Sequence, residues 1–472
     1  MKADLTIEER LAAVPEYTRF VTVDERYARA KAVTEARPDI AKLAIVGKST
    51  AGSEIPMVSI GDGPVSILIF ACPHPNEPIG AMMTYFLMEE LLKDEDLRAG
   101  RTWHIMPCVD PDGTRMNEGW FAGPFNIRNY AHDFYRPRPQ DQVEWTFPIE
   151  YKTLKWDTPK PETQALMKAI ETTRPDVMYS LHNAGFGGAY YYISSGLSKE
   201  DYDELHRIPI DRGLPLSLGE PEVPWAVELY PGVYESCPIT ASYDYYEQFA
   251  PGDPAQYITA GAGSDEWAKT VCDPFSIVTE VPYFVSAKIG DETPIGRTRR
   301  EVVLEGIDRG RRIYELLAKD LTATEGLITR PEGKLLRGAV ETFVDSELKS
   351  IPSQERWARE TSGMDQPATV AQEVDSIYVG VFYKMIVASM LARAIAGELG
   401  AESQEECCDG GYGCSCAPKR QILRSVLYDL NAHIDRWATD IEENLAYEVV
   451  PIKDLIEVQY GALLVVLNAK GF

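Results

Sequence analysis

From about residue 20 to 320, short apolar runs take turns with stretches in which apolar residues return every three or four positions. The first rhythm marks strands and the second amphipathic helices. Residues 24–36, DERYARAKAVTEA, read as a helix that stops at Arg37-Pro38, because the residue before a proline is driven out of the helical region. Two extended runs follow, LAIVG and IPMVSIG, separated by the turn-rich KSTAGSE. VSILIFAC (65–72) is apolar almost without a break, as expected of a strand buried on both faces. After PHPNEPIG comes a helix with Ile79, Met83, Phe86, Leu87 and Leu91 along one face. TWHIMPCV, DVMYSLHN and PFSIVTEV are further strands, and PETQALMKAIETT, opened by Pro161, is a helix before the second of them. Strands alternating with helices predict an α/β layered sheet with active residues at strand ends.

Past about residue 320 the pattern changes. KSIPSQERWARETSGMDQPAT is polar and reads as loop, and three long helical patterns follow: SIYVGVFYKMIVASMLARAIAGELG, RQILRSVLYDLNAHIDRWATDIEENL and IKDLIEVQYGALLVVLNA. The expected organisation is a catalytic domain over 1–320 and a mainly helical region over 321–472. That region packs on the catalytic domain or on another subunit, which leaves a homo-oligomer open.

Composition narrows the function. Hydrophobic residues are 44% and charged ones 25% of 472, an ordinary globular balance that excludes disorder of the whole chain. The net charge of −26, from 73 acidic and 47 basic residues, repels phosphate backbones and anionic lipid. Nucleic acid and membrane surfaces are therefore poor partners; solubility is the main use of the charge, and a basic peptide would be attracted. The start, MKADLTIEERLAAVPEY, lacks the apolar core of a secretory signal, and no uninterrupted apolar run reaches bilayer-spanning length. The expectation is a cytoplasmic protein. Cys72, Cys108, Cys237 and Cys272 are scattered singly, as reduced core cysteines are. EECCDGGYGCSCAPK gathers Cys407, Cys408, Cys414 and Cys416 without Cys-x-x-Cys spacing, so a reduced loop is preferred to a metal clip or a disulfide.

The candidate chemistry sits at strand ends. His74 and Glu77 lie between a buried strand and a helix, and His182 ends another strand before the Gly-rich NAGFGG. Zinc hydrolases use three protein ligands and leave a fourth position open for water. His-x-x-Glu alone arises easily by chance. Glu280 ends PFSIVTEV, where a carboxylate is either a satisfied polar group or a catalytic base.

These residues fall within ordered blocks over about 24–300 that resemble the zinc metallocarboxypeptidases related to pancreatic carboxypeptidase A. The blocks are ARPDIAKLAIVGKSTAGSEIPMVSI, the HPNE loop, VDPDGTR, IRNYAHDFYRP, SLHNAGFGG, QYITAGAGSDEW and SIVTEV. The resemblance implies a central mixed sheet flanked by helices, with the C-terminal helical region appended. It implies one zinc ion on His74, Glu77 and His182, with Glu280 moving the proton from water to the leaving amine. It further implies Arg128, or in competition Arg115, as the oxyanion residue; Arg136 on the substrate's terminal carboxylate; and Tyr257 closing over the substrate.

Two departures bear on function. Tyr135 stands where the family has the Asn beside the carboxylate-binding Arg, and the tyrosine loop is longer, with Asp265 near the side-chain specificity position. A carboxylate there would favour a basic terminal residue. The reading that follows is a zinc carboxypeptidase acting on a peptide with a free C-terminus. The alternatives are a zinc amidase or deacylase on a non-standard amide, kept open by Tyr135, and a catalytically silent peptide-binding module, against which Glu280 stands.

Overall fold

A computed structural model describes residues 5–402 and 416–472. Nine strands form one mixed sheet: β1 (Ala41–Lys48), β2 (Glu54–Gly61), β3 (Val65–Ala71), β4 (Arg101–Met106), β5 (Val177–Leu181), β6 (Tyr190–Ile193), β7 (Glu228–Tyr230), β8 (Val233–Glu235) and β9 (Phe275–Glu280). Their order across the sheet is β1-β2-β4-β3-β5-β9-β6-β8-β7. The central four, β4, β3, β5 and β9, run parallel, with antiparallel partners on either side.

Register sets up the site. Leu181 of β5 pairs with Ala71 of β3 on one side and with Thr279 of β9 on the other. One residue beyond those three lie Cys72, His182 and Glu280, so three neighbouring parallel strands end together at one sheet edge. Ligands gather at such carboxyl ends in open α/β sheets.

The period of two along β3 divides the core. Ile67, Ile69 and Ala71 join one apolar cluster, while Leu68 and Phe70 join another with Leu166 and Ile170 of the helix Pro161–Thr173. These five β3 side chains are fully buried, and each large one contributes about 1.5–3 kcal/mol of transfer free energy. The helix Ile79–Lys93 and the final helix Ile452–Lys470 fill the first face. The final helix is buried on every side from Leu455 to Leu467, so it belongs inside the molecule.

The C-terminal helices share this core, with Ile67, Tyr179, Leu391 and Leu463 in a single cluster. Residue 320 falls within the helix Arg299–Ala323. The expected loop from Lys349 is instead helical to Glu360, as the end of the helix Pro331–Glu360. Its polar residues are an outer face carrying the pairs Arg356–Glu360 and Arg359–Glu355, while Ile351 and Ala358 are buried beneath. Val370–Gly400 is long and apolar enough to cross a membrane by length and composition, which a count of uninterrupted apolar residues overlooks; most of it is buried inside the protein. The cysteines Cys407, Cys408 and Cys414 lie outside the described residues, and Cys416 opens the helix Cys416–Leu445.

Candidate metal centre and active site

The metal loop begins where β3 ends. Cys72 takes a left-handed backbone conformation, φ 54°, and turns the chain toward His74. Tyr283 donates to the Asn76 carbonyl at 2.9 Å, and Ile79 N–H, at the start of the next helix, donates to Asn183 Oδ1 at 3.3 Å. The loop is thereby tied to the residue after His182. The Asp-Pro-Asp-Gly turn packs from behind: Asp110 accepts from Gly113 N–H at 3.0 Å, and a Cβ on Gly113 would approach Pro75 Cβ to 2.8 Å. That turn needs its glycine because the metal loop occupies the space.

His74, Glu77 and His182 are buried, and their ligand atoms all lie within 4.8 Å of one another. Glu77 stands between the two rings, with Oε2 3.0 Å from His182 Nδ1 and Oε1 4.0 Å from His74 Nδ1. Glu280 Oε1 is 3.9 Å from the same His182 nitrogen. Among the described residues no other group of His, Cys, Asp or Glu is so disposed. Two imidazoles, one carboxylate and a second carboxylate beside them form a donor set that fits one zinc ion with an open position.

Burial and mutual charge set the titration of these residues. Burial pushes His74 well below the usual imidazole range, aided by the charges of Arg136 and His182. Burial also acts to lower His182, but the hydrogen bond and charge of Glu77, then Glu280 and Glu144, outweigh it and hold this imidazole up at about 9. Burial, then the charge of Glu77, raises Glu280 well above the usual carboxylate range.

Arg136 reaches the cluster itself. Its Nη1 donates to Glu77 Oε1 at 3.0 Å, Nη2 lies 2.5 Å from His74 Nδ1, and Nε donates to Gln142. The guanidinium occupies a position of positive charge next to the ligands. Arg128 is engaged elsewhere: it donates to Asp435, Thr439 and Glu442 of the helix Cys416–Leu445. Arg115 is held by Asp24 and Ser53. Neither guanidinium makes a hydrogen bond to His74, Glu77 or His182; carboxylates far along the chain hold the one, and Asp24 and Ser53 the other.

Tyr257 is likewise not gathered. Its hydroxyl donates to the Pro251 carbonyl at 3.1 Å, its ring stacks on Tyr246, and the Lys349 ammonium lies over it. Tyr135 is buried, its backbone clamped by Asn117 and its phenol raised by burial and by Asp110 and Asp141. Asp265 stands in the first turn of the helix Ser264–Val271, where its Oδ2 is buried with no partner.

Two supporting residues were not foreseen. Ser180 Oγ lies 2.8 Å from His182 Nε2, and it donates to Glu144 Oε2 at 3.4 Å; Glu144 also accepts from Ser264 N–H and Oγ. Ser180 was readable, since residues two apart along a strand share a face. Glu144 sits in an irregular segment and carries no such signal.

A mixed sheet with two histidines and a glutamate gathered beyond the carboxyl ends of its parallel strands defines a protein with a metal site. The particular family follows from sequence: the zinc carboxypeptidase family model matches residues 27–282. The chain belongs to that family, and it is a zinc metallopeptidase. No curated protein matches it. Similar solved structures include the carboxypeptidase A of Helicoverpa armigera, 15% identical over 60% of this chain and 68% of the other, with a TM-score of 0.36. Bovine thrombin-activatable fibrinolysis inhibitor, in complex with tick carboxypeptidase inhibitor, is 15% identical over 56% and 86%, with a TM-score of 0.34. A metallo-carboxypeptidase from Burkholderia cenocepacia is 14% identical over 59% and 63%, with a TM-score of 0.33.

Proposed function

We propose that this protein removes the C-terminal residue of a short or modified peptide. His74, Glu77 and His182 hold one zinc ion, and Glu280 is the general base and then the general acid. When bound, zinc supplies Lewis acidity that brings the pKa of a water down to about 7. Glu280 accepts the proton of the attacking water and returns it to the leaving amine, a task suited to a carboxylate with a raised pKa. Arg136 binds the substrate's terminal carboxylate with its planar fork. It donates to Glu77 Oε1 and lies against His74 Nδ1, beside the residues that would hold the metal. Asp265, with its unpartnered buried oxygen, favours a basic terminal side chain.

The observation that carries the reading is the convergence of three buried ligand atoms within 4.8 Å, with Glu280 3.9 Å from His182. Paired peptides with free and amidated C-termini test it. Cleavage of the free acid alone supports the proposal, and equal cleavage of both contradicts exopeptidase action. A second reading, a zinc amidase acting on a non-standard amide, is favoured by Tyr135, whose backbone is clamped by Asn117 at the position where the family has Asn. Equal cleavage would point there.

A further inference from the structure

The segment that follows His182 is held by helices from the far C-terminal end of the chain. Gln459, fully buried on the helix Ile452–Lys470, donates from Nε2 to the His182 carbonyl at 2.7 Å. Its own backbone carbonyl accepts from the Tyr179 hydroxyl at 2.9 Å. Tyr179 lies on β5, the strand that ends in the histidine. One helix thus grips this strand at both Tyr179 and His182.

The helix Gly380–Glu402 holds the next residues. Phe382 is fully buried, with its ring 5.7 Å from Phe186, and a Cβ on Gly185 would approach Phe382 Cε1 to 2.7 Å. Gly185 therefore owes its lack of a side chain to a helix some 200 residues away. Its neighbour Tyr383 accepts from Gly185 N–H at 3.2 Å and donates to the Phe186 carbonyl at 3.4 Å. One hydroxyl thus satisfies two of the loop's backbone groups. Even so, 39% of Tyr383 remains exposed. Burial, and after it the charges of Glu280 and Glu222, raise the phenol's pKa. Its ring is thus partly open while its hydroxyl is bonded to the loop.

We propose that the C-terminal helical region is a working part of the active site, in which Gln459 fixes the second histidine ligand and Tyr383 fixes the loop after it. Gln459 is a positioning residue that acts through the backbone of His182. Tyr383 is a positioning residue too, acting on the loop through its hydroxyl. This inference rests on the peptidase reading for its substrate arm only.

Full-length Gln459→Met and Tyr383→Phe test it beside Leu464→Ala, a core truncation on the same helix as Gln459. Zinc affinity is measured by competition with a chelator, stability by thermal unfolding of the metal-free chain, and kcat and KM on a peptide with a free C-terminus. Gln459→Met should raise the zinc dissociation constant about tenfold or more, as loss of outer support for a ligand does. Leu464→Ala should lower stability and leave zinc affinity in place, which separates positioning from general weakening. Tyr383→Phe should keep wild-type zinc affinity while kcat/KM falls by about threefold to tenfold, the scale of one neutral hydrogen bond. Wild-type zinc affinity in Gln459→Met, together with wild-type kcat and KM in Tyr383→Phe, would overturn the inference. If the wild-type chain binds zinc but cleaves no such peptide, the peptidase reading fails, and the zinc measurement alone decides the role of the C-terminal region.

Discussion

The proposed role of Glu280 as proton carrier rests on its surroundings. It is buried, it ends a strand, and its nearest ionisable neighbours are His182 and the like-charged Glu77. Replacing it with Gln removes the proton acceptor and keeps the shape. Glu280→Gln should therefore retain zinc by metal analysis while kcat falls by about 10²–10⁴; near-normal turnover would refute the assigned role. His182 makes a prediction about pH. In the metal-free chain its pKa stands at about 9, so near neutral pH a zinc ion must displace a proton. Zinc affinity should fall roughly tenfold per pH unit from 9 toward 7, where one proton is exchanged. Calorimetry in buffers of different ionisation enthalpy would read that proton, and affinity independent of pH would argue against the Glu77–His182 contact. The same raised pKa adds stability to the metal-free chain that is complete below the ordinary histidine value of 6.5 and is lost as pH rises through about 9. His74, Glu77, His182 and Glu280 were legible in the sequence because each sits at or just beyond the end of a clear apolar strand. The partners of Arg128 were not legible, because Asp435 and Glu442 belong to a helix some 300 residues further on. Nothing local announces such a pairing.

Among elements, the decisive fact is that β3, β5 and β9 lie side by side in parallel. The strands could be read from their apolar runs, but their order in space could not, since β5 comes more than 100 residues after β3. The helix after the metal loop approaches β5 so closely that a Cβ on Gly80 would come within 2.4 Å of Leu181 Cβ. An alanine there must push the helix and the strand apart, carrying Glu77 away from His182. Gly80→Ala should cost about 1–3 kcal/mol by overpacking and weaken zinc binding as well. Denaturant unfolding and chelator competition would read the two effects, and an unchanged midpoint would show that the helix can move freely. The end of the helix Pro331–Glu360 was misread as loop for a physical reason: its exposed face is held by charge pairs, and the apolar residues beneath are sparse.

For the whole molecule, the two-part pattern in the sequence does not make two separate cores. Leu463 of the last helix and Ile67 of β3 belong to one cluster, and the helix Ile452–Lys470 packs against both the helix Ile79–Lys93 and the helix Lys199–Ile210. A chain cut after residue 320 would expose that face. It should show no cooperative unfolding by calorimetry, and a sharp transition would mean that the first part folds alone. All of this depends on two histidines and a glutamate from distant parts of the chain closing on one ion. The most direct measurement is anomalous diffraction at the zinc edge from crystals of the zinc-loaded protein. The account predicts one strong peak about 2.0–2.2 Å from a nitrogen of His74, a nitrogen of His182 and an oxygen of Glu77. No peak there, or the principal peak among the cysteines of the 407–416 segment, would contradict it.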